Sequence, residues 1–438
     1  MLLNIGTYIA ELNCHHIFTG RPPMSETSQL AAPAQDFAKK RRSSLLAAIF
    51  LMATSAIGPG FITQTATFTS TMGAAFAFGI LASILIDFVV QINIWRMITV
   101  TRMRASDLAN AAIPGSGHLL AVLVIFGGLV FNVGNIAGAG LGLNAMLGLD
   151  PKWGGLLSAL VAIGIFSSKR AGVAVDRMII VLGIVMVALT AFVAFVSNPP
   201  LGEALRQTVW PDTINFATIT TIVGGTVGGY ITYAGAHRLL DKGMVGVENL
   251  GAVSRGALNG IAVTGLMRYV LFLAVLGVVA SGVAIDVSGK GANPAAQAFQ
   301  SAAGPLGLRV FGLILWAAAI TSVIGAAYTS ISFVSTFVPS VTETGRNRVT
   351  VVFILISLAA YMAMGTAPAA LLVFAGGFNG LILPLGLSLF MYVGWFRSDL
   401  MGGYRYPRWM LVLGTITCVL TWWMGYKSIG PIFAFLSL

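Results

Sequence analysis

Charge is what this sequence has least of. Asp, Glu, Lys and Arg make up 9% of its 438 residues, against about 25% in a soluble globular domain, so most of the chain is not built to face water. Cysteine is nearly absent. The two, Cys14 and Cys418, stand at opposite ends and exclude both a disulfide framework and a cysteine metal cluster. No Ser/His/Asp set, zinc-ligand spacing or phosphate-binding glycine loop appears, which argues against an enzyme. Residues 1–43 are polar and lack the apolar core of a signal peptide. With a second methionine at Met24, they read as a disordered cytoplasmic tail or a start-site artefact.

What is abundant is apolar length. Hydrophobic residues make up 57% of the chain, and from residue 44 they form runs of the roughly 17 to 25 residues that cross about 30 Å of hydrocarbon. The runs are too long and too weakly alternating for barrel strands. The sequence therefore predicts an all-α integral membrane protein of about eleven transmembrane helices. The expected spans are 44–70, 73–97, 117–145, 154–168, 177–197, 216–236, 258–283, 307–336, 349–365, 368–394 and 409–432.

With the N-terminus inside, most of the 25 basic residues fall in the tail or in cytoplasmic loops. Lys152, Arg206, Lys290, Arg309 and Lys427 fall outside, and Arg268 lies within a span. This positive-inside bias places the C-terminus outside, in a bacterial-type inner membrane. The net charge of +11 then reflects orientation rather than a nucleic-acid partner. The expected partners are the bilayer and a small-molecule substrate, with no cofactor and no obligate protein partner.

Two spans are interrupted. The first carries Gly58-Pro59-Gly60 and the sixth carries Gly224-Gly225-Thr226-Val227-Gly228-Gly229. Breaks at matching positions in two halves are the mark of an inverted-repeat transporter. The expected units are a first five-helix repeat at 44–197, an inverted second at 198–394, and an added eleventh helix in 395–438. An unwound segment at mid-membrane exposes N–H and C=O groups that must meet protein, water or a ligand. Close glycine packing of helices is the alternative reading of either cluster.

The candidate substrate-binding residues follow from the breaks: Gly58, Pro59, Gly60, Phe61, Thr63, Gln64 and Thr65 at the first, and Gly225, Thr226, Gly228, Gly229 and Tyr230 at the second. Asn132 in the third span and Asn379 in the tenth join them. Candidates for coupling or gating are Asp87, Arg268, Thr321, Ser322, Asn135 and His237. An ionisable side chain inside a membrane is a functional candidate by default. Asp87 and Arg268 each lie about ten residues, or roughly 15 Å, from the cytoplasmic end of their spans. They are expected to face each other across the bundle, as a structural pair, as a gate, or with Asp87 taking a coupling proton. Hydroxyls such as Thr321 and Ser322 equally suit back-bonding to their own helix, and His237 suits the membrane–water boundary.

These residues also carry a resemblance. From about Ser44 to Gly394 the chain resembles the Nramp family of metal-ion transporters, which share the LeuT-type 5+5 inverted-repeat fold. The anchors are Ile57-Gly58-Pro59-Gly60, Gly142-Leu143-Asn144 with Gly148, Thr321-Ser322 followed by Tyr328, and Leu371-Leu372-Val373 leading to Leu383-Pro384. The chain departs from the family where the metal would sit. The family's Asp falls on Gly58, or on Thr69 in a shifted alignment, and its Asn falls on Phe61. Its Ala-x-x-Met falls on Gly225 and Gly228, the following His on Tyr230, the acidic pair of the third span on Asn132 and Asn135, and the tenth-span Gln on Gly376.

A divalent cation that sheds water needs anionic oxygens, and a transition metal gains from sulfur or imidazole. None stands at the breaks. The expectation is therefore a secondary transporter of a small organic solute, a carboxylate or amino-acid-like molecule, coupled to H+ or Na+. The resemblance adds 5-oxoproline as a candidate, because relatives with this divergent pattern lie beside genes for its breakdown. The alternative is a divalent metal transporter, for Mg2+ or Mn2+, with an altered site.

Overall fold

The computed structural model describes residues 56–437 apart from 168, 288, 290, 339–342 and 365–366, and describes only the backbone of 169–182, 335, 343 and 437. The tail and the first half of the first expected span, 44–55, lie outside the described residues. Every regular element among them is helical. The first half of the chain holds α1 (Pro59–Met72), α2 (Phe76–Thr101), α3 (Ala105–Ala112), α4 (Ser116–Leu147), α5 (Pro151–Ser167), α6 (Lys169–Val196) and α7 (Leu201–Val209). The second holds α8 (Phe216–Gly224), α9 (Ile231–Asp241), α10 (Leu250–Ala280), α11 (Pro294–Ser332), α12 (Glu343–Ala363), α13 (Pro368–Phe396) and α14 (Arg408–Ala434).

Over its described residues each expected span coincides with helix, but not every helix is long enough to span alone. By length and composition, seven helical stretches of the described residues can cross a membrane, or eight if the bent pair Gly183–Val196 and Leu201–Val209 is one span. The count of about eleven exceeds this. One reason is that the sixth expected span is divided: α8 has 9 residues and α9 has 11. Another is that α5 is a 17-residue apolar helix. The eighth expected span begins earlier than its apolar run, because α11 includes a kink at Gly304 (φ 66°, ψ −164°) before Pro305, which has no N–H to give.

Large apolar side chains such as Phe126, Phe195, Leu306 and Trp422 are exposed. In water they would be a liability, whereas hydrocarbon is indifferent to them. The polar side chains run the other way: Gln64, Gln91, Asn132, Asn379, Asp87 and Arg268 are all buried. In the stretch after α6, α7 is polar, and Arg206 donates to both Glu203 and Asp212. Those bonds hold both carboxyls below their ordinary range.

Small residues set the helix spacing around the site. Gly142 of α4 lies against the backbone of Trp316 in α11, and Gly224 at the end of α8 lies against the backbone of Gly376 and Gly380 in α13. Without a hydrophobic force between helices in lipid, such close backbone approach is a main source of packing energy. It also brings α13 against the interruption between α8 and α9.

Candidate functional site

Both interruptions are real. Ile57 and Gly58 form a bend between the helical residue Ala56 and α1, which opens on Pro59. Proline suits this place because the first helical N–H has no intrahelical partner in any case. Gly58 caps the helix with extended geometry (φ −98°, ψ −172°) and offers no side-chain acceptor. The amides of Gly60 and Phe61 find no partner among the described residues. The second interruption is longer. Residues 225–230 leave the helical path between α8 and α9, with Gly229 at φ 52°. Ile231 N–H donates back to Gly228 at 3.1 Å, while the amides of Gly228, Gly229 and Tyr230 find no partner among the described residues.

Side chains from three helices join the two breaks. Gln64 of α1 donates through Nε2 to the Leu372 carbonyl of α13 at 3.1 Å. Its Oε1 has no partner and lies against Gly225, where a Cβ would collide with it. Tyr230 packs edge-on against Phe131 of α4, with ring centres 5.6 Å apart. Its hydroxyl faces the Asn135 amide, although neither Tyr230 Oη nor Asn135 Nδ2 reaches hydrogen-bond geometry. Asn379 of α13 donates to the carbonyls of Gly127 and Ala375 at 3.0 and 2.9 Å and presses its unpartnered Oδ1 against Gly229. Residues 58–69 and 218–237 are all buried.

A charged pair flanks the second break. Asp87 of α2 accepts through Oδ2 from Thr226 Oγ1 at 2.6 Å, and that hydroxyl also lies 2.9 Å from the Ile222 carbonyl. Arg268 of α10 donates from Nη1 to the same carbonyl at 3.4 Å. The two charges interact electrostatically but form no direct ion pair of the kind expected from their matched depths. Thr226 and the Ile222 carbonyl stand between them. Two turns further along α2, Trp95 Nε1 donates to the Thr232 carbonyl at 2.8 Å. Between these anchors lies Gln91, fully buried with neither amide atom partnered.

Several candidates are placed otherwise than the sequence suggested. Thr65 donates to the Phe61 carbonyl at 2.7 Å, so its hydroxyl serves its own helix; Thr63, by contrast, is buried with Oγ1 unpartnered. Thr321 bonds back to Ala317 and Ala318, whereas the Ser322 hydroxyl lies against Gly58. Asn132 points to α12, donating to Ser357 Oγ at 3.1 Å. His237 is buried within the protein. Its Nε2 accepts from the Ala105 amide at 3.2 Å, and Nδ1 lies 3.2 Å from Ser332 Oγ. It ties α9 to α3 and α11, beside an Arg104–Asp241 ion pair. Gln91, Trp95 and Phe131 were not singled out from the sequence. The signal for the first two was their helical spacing, one and two turns after Asp87 on one face. No group of three or more His, Cys, Asp or Glu that could hold a metal ion occurs among the described residues.

The fold has known counterparts. A manganese transporter of Eremococcus coleocola, in a mutant form, superposes with a TM-score of 0.69 at 14% identity, covering 91% of this chain and 88% of that one. MhsT in complex with L-phenylalanine superposes with a TM-score of 0.59 at 15% identity, covering 89% and 98%. These likenesses establish the LeuT-like fold. In sequence, the membrane protein YcsG of Bacillus subtilis (strain 168) is 49% identical over 387 residues, 88% of this chain and 94% of its own length. A membrane protein of Haemophilus influenzae is 48% identical over 389 residues, 89% of this chain and 96% of its own. Residues 49–430 match the model of the natural resistance-associated macrophage protein-like family. With an interrupted helix at each expected break, this multi-pass membrane chain belongs to the Nramp-like family of transporters.

Proposed function

We propose that the chain is a secondary active transporter of a small organic solute bearing a carboxylate, an amino-acid-like molecule or a cyclic derivative such as 5-oxoproline, driven by H+ or Na+. The observation that carries this reading is the chemistry of the two breaks. They offer amides at Gly60, Phe61, Gly228, Gly229 and Tyr230 that find no partner among the described residues, with neutral side chains from Gln64, Asn135, Tyr230 and Asn379 around them. Two helix N-termini carry partial positive charge, and backbone N–H groups are good partners for a carboxylate. Neither break carries a carboxylate, thiolate or imidazole, the ligands with which a dehydrated dication is held. The repeat boundaries at 44–197 and 198–394, and an N-terminus inside with a C-terminus outside, belong to the same proposal.

A second reading, transport of a divalent metal ion, is favoured by two observations. The superposed Eremococcus coleocola proteins are manganese transporters. Asp87 also brings one carboxylate, with Oδ1 unpartnered, against Thr226 at the second break. Its neighbour Arg268 offsets that charge, which weighs against a dication there.

Uptake into proteoliposomes separates the two. The solute reading expects concentrative uptake of a labelled small carboxylate, 5-oxoproline first, that stops when the driving gradient is collapsed; the gradient whose loss stops it identifies the coupling ion. Tyr230→Phe or Gln64→Ala should slow that uptake about tenfold or more. Uptake of Mn2+ or Mg2+ with no carboxylate uptake would overturn the reading.

A further inference from the structure

Arg268 lies near the middle of α10 and is 1% exposed. Its guanidinium carbon is 4.2 Å from the centre of the Phe61 ring, in the first turn of α1. Its Nη1 makes the bond to the Ile222 carbonyl, in the last turn of α8. One side chain thus touches both broken spans. The other edge of the guanidinium, Nε and Nη2, is buried and has no partner among the described residues. Those two nitrogens form one side of the planar fork, and that side matches the two oxygens of a carboxylate. The nearby Asp87 carboxylate does not occupy it, being turned to Thr226.

A cation buried in this way is costly unless something meets its donors. The Phe61 face contributes a cation–π contact and fixes the plane of the fork, but it satisfies no N–H. The Ile222 carbonyl takes one donor only, at long range. What the geometry lacks is an acceptor with two oxygens in one plane for the Nε and Nη2 edge.

We propose that Arg268 is the carboxylate anchor of the transported solute, binding both carboxylate oxygens through Nε and Nη2 beside the N-terminal turn of α1 and the second break. The inference rests on the solute reading and narrows it: the source of anion selectivity is a guanidinium, and the solute is recognised as an anion rather than as its amide or ester. It also gives a reason for coupling. With Asp87 ionised, a carboxylate bound beside the Asp87 and Arg268 charges leaves one excess buried negative charge, which co-entry of a cation removes.

The test uses the purified full chain with 5-oxoproline, its amide and its methyl ester, read by calorimetry and thermal shift. The wild type should bind the acid about 100-fold more tightly than the amide or ester. Arg268→Lys keeps the charge but loses the fork, and should weaken the acid about tenfold or more. Where Arg268→Gln alone unfolds because Asp87 is stranded, the double variant Asp87→Asn with Arg268→Gln removes both charges; it should fold and bind acid and amide alike. Equal wild-type affinity for acid and amide, or undiminished acid binding by a folded Arg268→Lys, overturns the proposal while leaving a solute transporter. Binding of Mn2+ or Mg2+ with no binding of any of the three organic probes removes the solute reading itself, and this proposal with it.

Discussion

The two breaks achieve the same thing by opposite means. The first is short and locally encoded: a two-residue bend, a capping glycine and a proline that accepts the loss of an N–H. The second is six residues long, has no proline, and is held by its neighbours. Asp87 reaches Thr226, Trp95 reaches the Thr232 carbonyl, Asn379 presses on Gly229 and Gln64 on Gly225. The difference teaches where motion is cheap. A bend fixed by proline keeps its shape in any state. A segment shaped by side chains on α1, α2 and α13 changes shape when those helices shift, which is what alternating access requires of a substrate site.

The sharpest way to break this comparison is to remove a neighbour. Asp87→Ala should destabilise the protein by about 3–5 kcal/mol, because it leaves the buried Arg268 guanidinium without a compensating charge. Thermal unfolding of the single variant against the double Asp87→Asn with Arg268→Gln checks it: the double should recover most of the loss, and no recovery would mean that the two charges do not depend on each other. A smaller effect is expected inside the second break. Gly229→Ala adds a Cβ against Asn379 at a left-handed backbone position, costing about 1–3 kcal/mol. Asn379→Ala should return part of that, leaving the backbone share. The smallest effect is expected at the first break. At Gly60 an added Cβ meets its nearest neighbours at 3.6 Å or more, ordinary contact distance, inside a helix that alanine favours by about 1 kcal/mol over glycine. Gly60→Ala should therefore leave stability unchanged or slightly raised, and a loss as large as that at Gly229 would erase the distinction between the breaks.

The same contrast explains what the sequence disclosed. Glycine and proline act on their own backbone, so both interruptions, with α1 after the first and α8 and α9 around the second, were legible from Gly58-Pro59-Gly60 and from the glycines at 224–229. The partners were not. Nothing local says that Asn379 meets Gly229, that Trp95 reaches Thr232, or that Arg268 lies over Phe61, because each contact depends on how distant helices rotate and cross. The Asp87 and Arg268 pairing was half legible. Matched depth along two helices was right in kind, but depth carries no information about what stands between, and the second break itself occupies that place. Hydroxyls proved the least readable, since Thr65 and Thr321 turn to their own helices while Thr63, on the same helix as Thr65, does not.

The most direct test of the central claim is an experimental density map of the protein at saturating 5-oxoproline, with Mg2+ and Mn2+ also present. The account predicts a planar carboxylate within hydrogen-bond reach of Arg268 Nε and Nη2, beside the amides of the two interruptions, and no dehydrated ion there. A metal ion bound by Asp87 and the carbonyls of the second break, with no organic density, would contradict it.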